Sequence, residues 1–178
     1  MPQMPIRNWW LLAAGGVFEA VYAAMNLFGQ DVVFLGKPAL AAGVCTVAAA
    51  IGKPGRGGSW LLALNGLALS AFGVASLFPP HGRVGFLPYA LLFVIMAMSI
   101  GILALSAARG LRQHVSEQWF FGLAGAVLVG FALGFLIFGF RWIRLEPLAY
   151  VLWMSSYFAF SAICKLGLGL RLRPGLSR

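Results

Sequence analysis

The stretch from Trp60 to Phe78, WLLALNGLALSAFGVASLF, is a continuous apolar run without a charged side chain. A helix of about 20 mostly apolar residues is long enough to cross the hydrocarbon layer of a membrane, which is about 30 Å thick. The run therefore predicts one membrane-crossing helix.

The chain uses this apolar unit three times. Trp10 opens WLLAAGGVFEAVYAAMNLF, and Trp119 opens WFFGLAGAVLVGFALGFLIF. In each copy a glycine follows the tryptophan after six residues, and a second small residue follows the glycine after seven more. These pairs are Gly16 and Ala23, Gly66 and Gly73, and Gly125 and Ala132. Because each copy of a repeat must pack on its siblings, the recurrence predicts three similar structural units.

Composition indicates an integral membrane protein. Of the 178 residues, 61% are hydrophobic and only 10% are charged, whereas soluble domains average about 45 to 50% apolar and about 25% charged residues. Six spans of about 20 residues would use most of the chain, so residues 1–178 are expected to form a single transmembrane domain. The net charge of +9 comes from basic residues scattered over short loops. This distribution favours anionic lipid head groups as partners and argues against nucleic acid.

Six spans are predicted, and they form three helical hairpins. The spans cover about Trp9 to Phe28, Val32 to Ile51, Trp60 to Phe78, Phe86 to Ala107, Trp119 to Phe138 and Leu148 to Leu170. The even-numbered spans resemble one another at Gly43-Val44, Gly101-Ile102 and Ala162-Ile163. The hairpin repeats are expected at about residues 9–52, 59–108 and 118–171. The predicted fold is an all-α integral membrane protein of six transmembrane helices.

Lysine and arginine residues are unequally divided between the two sets of loops. One side holds Arg7, Lys53, Arg56, Arg109, Arg112, Arg171, Arg173 and Arg178, and the other holds at most Lys37, Arg83, Arg141 and Arg144. Because short cytoplasmic loops carry the excess of basic residues, both termini are predicted to be cytoplasmic. Trp10, Trp60 and Trp119 lie at span ends, where indole side chains favour the head-group layer, and are interpreted as interface anchors.

Five segments carry a further pattern that extends over nearly the whole chain. They are NWWLL at Asn8 to Leu12, SWLLALNGLALSAFG at Ser59 to Gly73, SIGILALSAARGLR at Ser99 to Arg112, EQWFFGLAG at Glu117 to Gly125, and RLR at Arg171 to Arg173. Together these segments resemble the HdeD acid-resistance membrane protein family. The resemblance implies a bacterial inner-membrane protein of six helices associated with acid tolerance, with no established catalytic residue or transported substrate. The chain departs from the usual family pattern at Glu19 and at Lys37-Pro38, where apolar residues are typical.

Small residues predict where the helices pack. In lipid, apolar burial does not drive helices together, so residues that permit close backbone approach become the packing signal. A seven-residue spacing keeps both small residues of a repeat on one helix face. The hairpins are expected to meet at the faces that carry these repeat pairs. The glycines expected at packed helix faces are Gly16, Gly66, Gly73, Gly125, Gly43 and Gly101. A self-association face that forms a dimer is the alternative.

Glu19 lies near the middle of the first span, where an ionisable group costs about 2.5 to 3.5 kcal/mol on insertion scales and is a functional candidate. In a hairpin that turns near residues 29 and 30, position 19 lies opposite about position 40. Lys37 is then offset from Glu19 by only about 4 Å along the helix axis. Asn26 shares a helical stripe with Glu19, and Asn65 is available from the third span. These four residues predict an internal polar cluster.

The predicted cluster has two interpretations. It forms a proton or ion pathway, or it is a neutral or paired group that fixes the register of the first hairpin. In the second case the Lys37 side chain extends to the outer surface. Lys165, near the cytoplasmic end of span six, is likewise expected to extend to the membrane surface.

No enzymatic activity, metal site or cofactor is predicted. The sequence has no cluster with metal-ligand spacing, and Ser155, Ser156 and Ser161 lack a nearby histidine or acid suited to nucleophilic catalysis. The expected function is a non-enzymatic membrane component of acid or stress tolerance, a role that the family resemblance supplies. The alternatives are a small transporter or channel that uses Glu19, and an accessory subunit of a larger membrane complex.

Overall fold

The structure is a computed structural model that describes residues 9–29, 32–51, 59–77, 86–110, 115–142 and 147–171. Within these ranges the chain forms six α-helices. They are α1 (Trp9–Leu27), α2 (Val32–Ile51), α3 (Ser59–Leu77), α4 (Phe86–Gly110), α5 (Val115–Trp142) and α6 (Pro147–Arg171). The prediction of an all-α protein with six helices is confirmed.

The helix ends follow the apolar runs closely. α2 has the predicted bounds, whereas α5 is longer than its predicted span at both ends, because a helix need not end where its apolar run ends. After α1 the chain turns at Gly29, whose φ of 70° is a left-handed conformation that glycine adopts without steric cost. The Gly29 N–H donates to the carbonyl of Asn26 at 3.2 Å and so closes the end of this helix.

Four of the described helices have the apolar length of membrane spans. Four stretches are long and apolar enough to cross a membrane, namely Trp9–Leu27, Phe34–Ile51, Trp60–Leu77 and Val151–Leu170. In α4 and α5 the apolar stretches found among the described residues, Leu91–Ser106 and Gly122–Ile137, are shorter. Large apolar side chains such as Leu67 and Ile137 are also exposed on the outer surface. An apolar exterior of this kind suits a lipid environment.

The helices pack in a closed ring. Each helix contacts the next one along the chain, and α6 returns to contact α1. The most extensive contacts join α2 to α3, α4 to α5, and α6 to α1. These three contacts connect successive hairpins, whereas the two helices within a hairpin share smaller contacts. The three successive helix pairs therefore follow one another around the ring, and the third pair packs against the first.

Small residues lie at the three contacts between hairpins. A Cβ added at Gly66 would lie 2.9 Å from the carbonyl oxygen of Gly43, and one at Gly125 would lie 2.8 Å from that of Gly101. A Cβ at Gly16 would lie 3.0 Å from the carbonyl oxygen of Ala162. The backbones of facing helices therefore approach too closely for larger side chains, as expected for small-residue packing in lipid.

Of the other predicted positions, Gly73 and the three tryptophans lie within the described residues. Gly73 packs against the backbone of Leu40 and continues the α2–α3 contact of Gly66. The side chains of Trp10, Trp60 and Trp119 are exposed near the start of α1, α3 and α5. The basic residues used to predict orientation, Lys37 apart, lie outside the described residues or have side chains that the structure does not describe.

Candidate functional site

A buried ion pair joins the first helix to the last. Lys165 Nζ of α6 lies 2.6 Å from Glu19 Oε1 of α1, and the two side chains are 0% and 1% exposed. Lys165 also donates a hydrogen bond of 3.1 Å to Thr46 Oγ1 of α2. The Thr46 hydroxyl donates its own proton to the carbonyl of Ala42 at 2.7 Å, so its oxygen is free to accept from the ammonium group. Three helices thus contribute to one charged cluster.

Two adjacent glycines of α1 allow the other helices to reach this cluster. A Cβ at Gly15 would lie 3.0 Å from Thr46 Oγ1, so the absent side chain leaves room for α2. A Cβ at Gly16 would lie 3.0 Å from Leu166 Cγ, beside Lys165 in the sequence of α6. The small residues therefore determine how close the charged side chains can come.

The pairing compensates two charges that would each be costly alone. A single charged residue at the centre of a span costs about 2.5 to 3.5 kcal/mol on insertion scales. Close contact between opposite charges, with a further hydrogen bond from Lys165 to the Thr46 hydroxyl oxygen, offsets part of that cost. The arrangement favours one packing of α1, α2 and α6, because separating the helices would leave buried charges without partners.

The prediction that Lys37 is the partner of Glu19 is wrong. The Lys37 side chain is exposed, and its Nζ lies 5.2 Å from the centre of the Phe34 ring. The position of the turn between α1 and α2 determines the height of Lys37 along the helix axis but not its direction around the helix. Lys37 is nine residues before Thr46, which at 3.6 residues per turn places it about 180° away on α2. Its side chain therefore extends outward, as the alternative interpretation proposed.

The expectation that Lys165 extends to the membrane surface is also wrong. Its side chain is fully buried and directed at Glu19. The sequence contained a usable signal, because Tyr157, Ser161 and Lys165 follow one another at four-residue spacing and share one face of a helix. That polar face indicates an interior position for Lys165.

The two asparagines of the predicted cluster lie in the interior but at separate contacts. Asn26 Nδ2 donates to Ser155 Oγ at 2.8 Å and to the carbonyl of Val151 at 3.1 Å, both on α6. Asn65 Nδ2 donates to the carbonyl of Met96 at 2.9 Å, which joins α3 to α4. Neither asparagine has a hydrogen bond to Glu19 among the described residues.

The chemistry available at the site is that of charge and hydrogen bonding. In the part of the chain that the structure describes, no three histidine, cysteine or acidic residues come together as a metal site. Comparison with protein-family models, curated proteins and solved structures found no match to this chain. The residues themselves are therefore the basis for a functional proposal.

Proposed function

We propose that the chain is a non-enzymatic, multi-pass protein of the bacterial inner membrane that contributes to acid or stress tolerance. Its six helices are all spans and both termini are cytoplasmic. In this proposal the Glu19–Lys165 pair holds the ring closed. The geometry of the pair is the main support. The pair joins the first helix to the last, and its two opposite charges compensate each other within the protein. Such an arrangement suits a structural contact better than a site that must bind a charged substrate.

The acid-tolerance role is supported by resemblance to the HdeD family. The composition is compatible with it, because only four acidic residues and two histidines in the chain can gain a proton between neutral and strongly acidic pH. Anionic lipids at the cytoplasmic face are the proposed partners, attracted by the basic loop residues.

A survival assay tests this proposal. The protein is produced in an acid-sensitive bacterial host, as wild type, as Lys165→Met and as Lys37→Met, with membrane amounts matched by immunoblot. We expect the wild type and Lys37→Met to raise survival after an acid shock and Lys165→Met to raise it less. Unchanged survival with abundant wild-type protein would reject the acid-tolerance role. A gain only in the presence of another membrane protein would favour the accessory-subunit alternative.

A proton or ion pathway through Glu19 is the second candidate, and one observation favours it. Glu19 Oε2 is buried and has no hydrogen-bond partner among the described residues, so half of the carboxylate is open to another group. An ionisable residue in this position is a common component of proton relays.

Proton flux separates the second candidate from the first. Purified protein in liposomes with an internal pH dye is exposed to an external acid jump, and wild type is compared with Glu19→Gln and with protein-free liposomes. Wild-type flux that is lost in Glu19→Gln would support transport. Equally tight vesicles in all three cases, with the protein shown to be folded, would exclude it.

A further inference from the structure

Three buried side-chain oxygens in the described helices have no hydrogen-bond partner. They are Glu19 Oε2, Asn65 Oδ1 and Ser161 Oγ. Their residues are at most 1% exposed. Glu19 and Asn65 are fixed by their other polar atom, because Glu19 Oε1 accepts from Lys165 and Asn65 Nδ2 donates to Met96. These two oxygens therefore cannot simply rotate away to find another donor.

The Tyr157 side chain brings the three oxygens into one region. Its hydroxyl lies beside Ser161 and Asn65, and Glu19 is close enough to act on it electrostatically. Neither Ser161 Oγ nor Asn65 Oδ1 makes a hydrogen bond of good geometry with that hydroxyl. On α6, Ser161 is one helical turn from Tyr157 and one turn from Lys165, about 6 Å in each direction along the axis. Ser161 therefore lies beside the Tyr157 hydroxyl and close to the level of the ion pair along α6.

The Glu19 carboxylate oxygen and the Asn65 amide oxygen can only accept hydrogen bonds, so the group that completes the region must be a donor. Polar groups buried away from water are normally satisfied, and bulk water is excluded from the interior of a membrane protein. A single buried water typically makes two to four hydrogen bonds with such groups. We propose that Glu19 Oε2, Asn65 Oδ1, Ser161 Oγ and the Tyr157 hydroxyl line an internal water site, which we call the inner oxygen site.

Water fits the inner oxygen site better than a metal cation does. Lys165 Nζ is 2.6 Å from the Glu19 carboxylate and already supplies the compensating positive charge. A second cation beside the same carboxylate would be repelled by the ammonium group in a medium of low dielectric constant. A water molecule supplies two donors without adding charge.

The inner oxygen site would connect the ion pair to the far side of the ring. It extends the charged cluster of α1, α2 and α6 to Asn65 on α3, whose amide in turn contacts α4. This inference does not rest on the acid-tolerance role or on proton transport. A structural protein and a transporter could both contain the site, so each proposal can fail without the other.

Hydroxyl-radical footprinting tests the inner oxygen site, because radicals formed from a bound water label the side chains beside it. The full-length protein in lipid nanodiscs is exposed to X-ray pulses, and labelling of Tyr157 is compared with that of Phe93 and Phe158. Both phenylalanines are matched controls, since they are as buried as Tyr157 and pack against its ring, with centroids at 4.7 and 5.2 Å. We expect Tyr157 to be labelled several-fold faster than either phenylalanine.

Two variants identify the source of the labelling. Ser161→Val removes an acceptor and fills space, so we expect Tyr157 labelling to fall to the level of the phenylalanines. Ser161→Ala adds no bulk and is expected to give a partial decrease. Ser76→Val makes the same change at a buried serine that donates only within its own helix, to Phe72, and should leave Tyr157 labelling unchanged.

Tyr157 labelling no faster than that of Phe93 and Phe158 would overturn the proposal. Wild-type labelling that falls when Na⁺ replaces choline in the buffer would indicate a cation in place of water and would also overturn it.

Discussion

Lys165 Nζ and Glu19 Oε1 are 2.6 Å apart, although 146 positions separate the two residues in the chain. The contact joins α1 to α6 and so connects the first hairpin to the third. Gly16 and Ala162 meet at the same interface, which brings the helix backbones close enough for this short contact. The closure of the ring and the burial of its charges are therefore properties of one helix interface.

Removing both members of the pair should destabilise the protein by less than the sum of the two single removals. Breaking a buried ion pair by removing one partner costs about 3 to 5 kcal/mol, because the other charge stays buried without compensation. We expect Glu19→Gln and Lys165→Met each to lower the free energy of unfolding in detergent, and the double variant to lose less than the sum of the two. A double-mutant cycle from chemical unfolding measures this coupling.

Lys37→Met is the matched control for that cycle, because it removes a lysine from a span where the side chain is exposed. It should leave the free energy of unfolding unchanged. Additive losses for Glu19→Gln and Lys165→Met, or a loss for Lys37→Met as large as that for Lys165→Met, would contradict the structure.

The helices could be predicted from sequence because the position of an apolar span depends mainly on local composition. The fit of α2 to its predicted bounds, Val32–Ile51, illustrates this. The glycine positions could also be found, since Gly43 and Gly66 recur at equivalent places in other repeats and close packing requires small residues there.

The ion pair could not be found in this way. Because α1 and α2 are neighbours along the chain, local spacing points to Lys37 as the partner of Glu19. The actual partner, Lys165, belongs to α6, the helix that closes the ring. Its identification requires knowing that α6 packs against α1 and which face Lys165 occupies. Both depend on packing between residues far apart in sequence, which local spacing does not determine.

Asn26 should stabilise the same interface from a second position. Asn26→Leu removes the hydrogen bonds to Ser155 and to the carbonyl of Val151. Hydrogen bonds between membrane helices contribute about 0.6 kcal/mol on average and up to about 1.7 kcal/mol. We expect a loss in this range by chemical unfolding in detergent, and a double variant with Ser155→Ala that loses less than the sum. Ser106→Ala is the control, since that exposed hydroxyl bonds only to Leu103 in its own helix. A loss in the control equal to that of Asn26→Leu would argue against the contact.

Gly66→Ala should destabilise the α2–α3 interface. The new Cβ would lie 2.7 Å from the backbone nitrogen of Val47, which cannot move aside as a flexible side chain can. Overpacking of this kind costs about 1 to 3 kcal/mol, so the melting temperature in detergent should fall. Gly130→Ala is the matched control, because no atom of another described helix lies within 4 Å of a Cβ at that position and alanine favours the helix by about 1 kcal/mol. A melting temperature for Gly66→Ala equal to that for Gly130→Ala would mean that the helices are farther apart.

Closure of the ring within one chain can be tested by cross-linking α1 to α6. A Cβ at Gly169 would lie 3.1 Å from the Cβ of Ala13, close to the roughly 3.5 to 4.5 Å typical of a disulfide. With the native free cysteines Cys45 and Cys164 changed to alanine, we expect Ala13→Cys with Gly169→Cys to form an intramolecular disulfide on mild oxidation. Ala13→Cys with Ile163→Cys is the control, because Ile163 is exposed on the outer face of α6 and should not cross-link.

Mass spectrometry of the monomer after oxidation measures the disulfide bond. A disulfide found only in dimers would mean that α6 of a second copy completes the ring, and efficient cross-linking in the control would mean that α1 and α6 do not keep one fixed register.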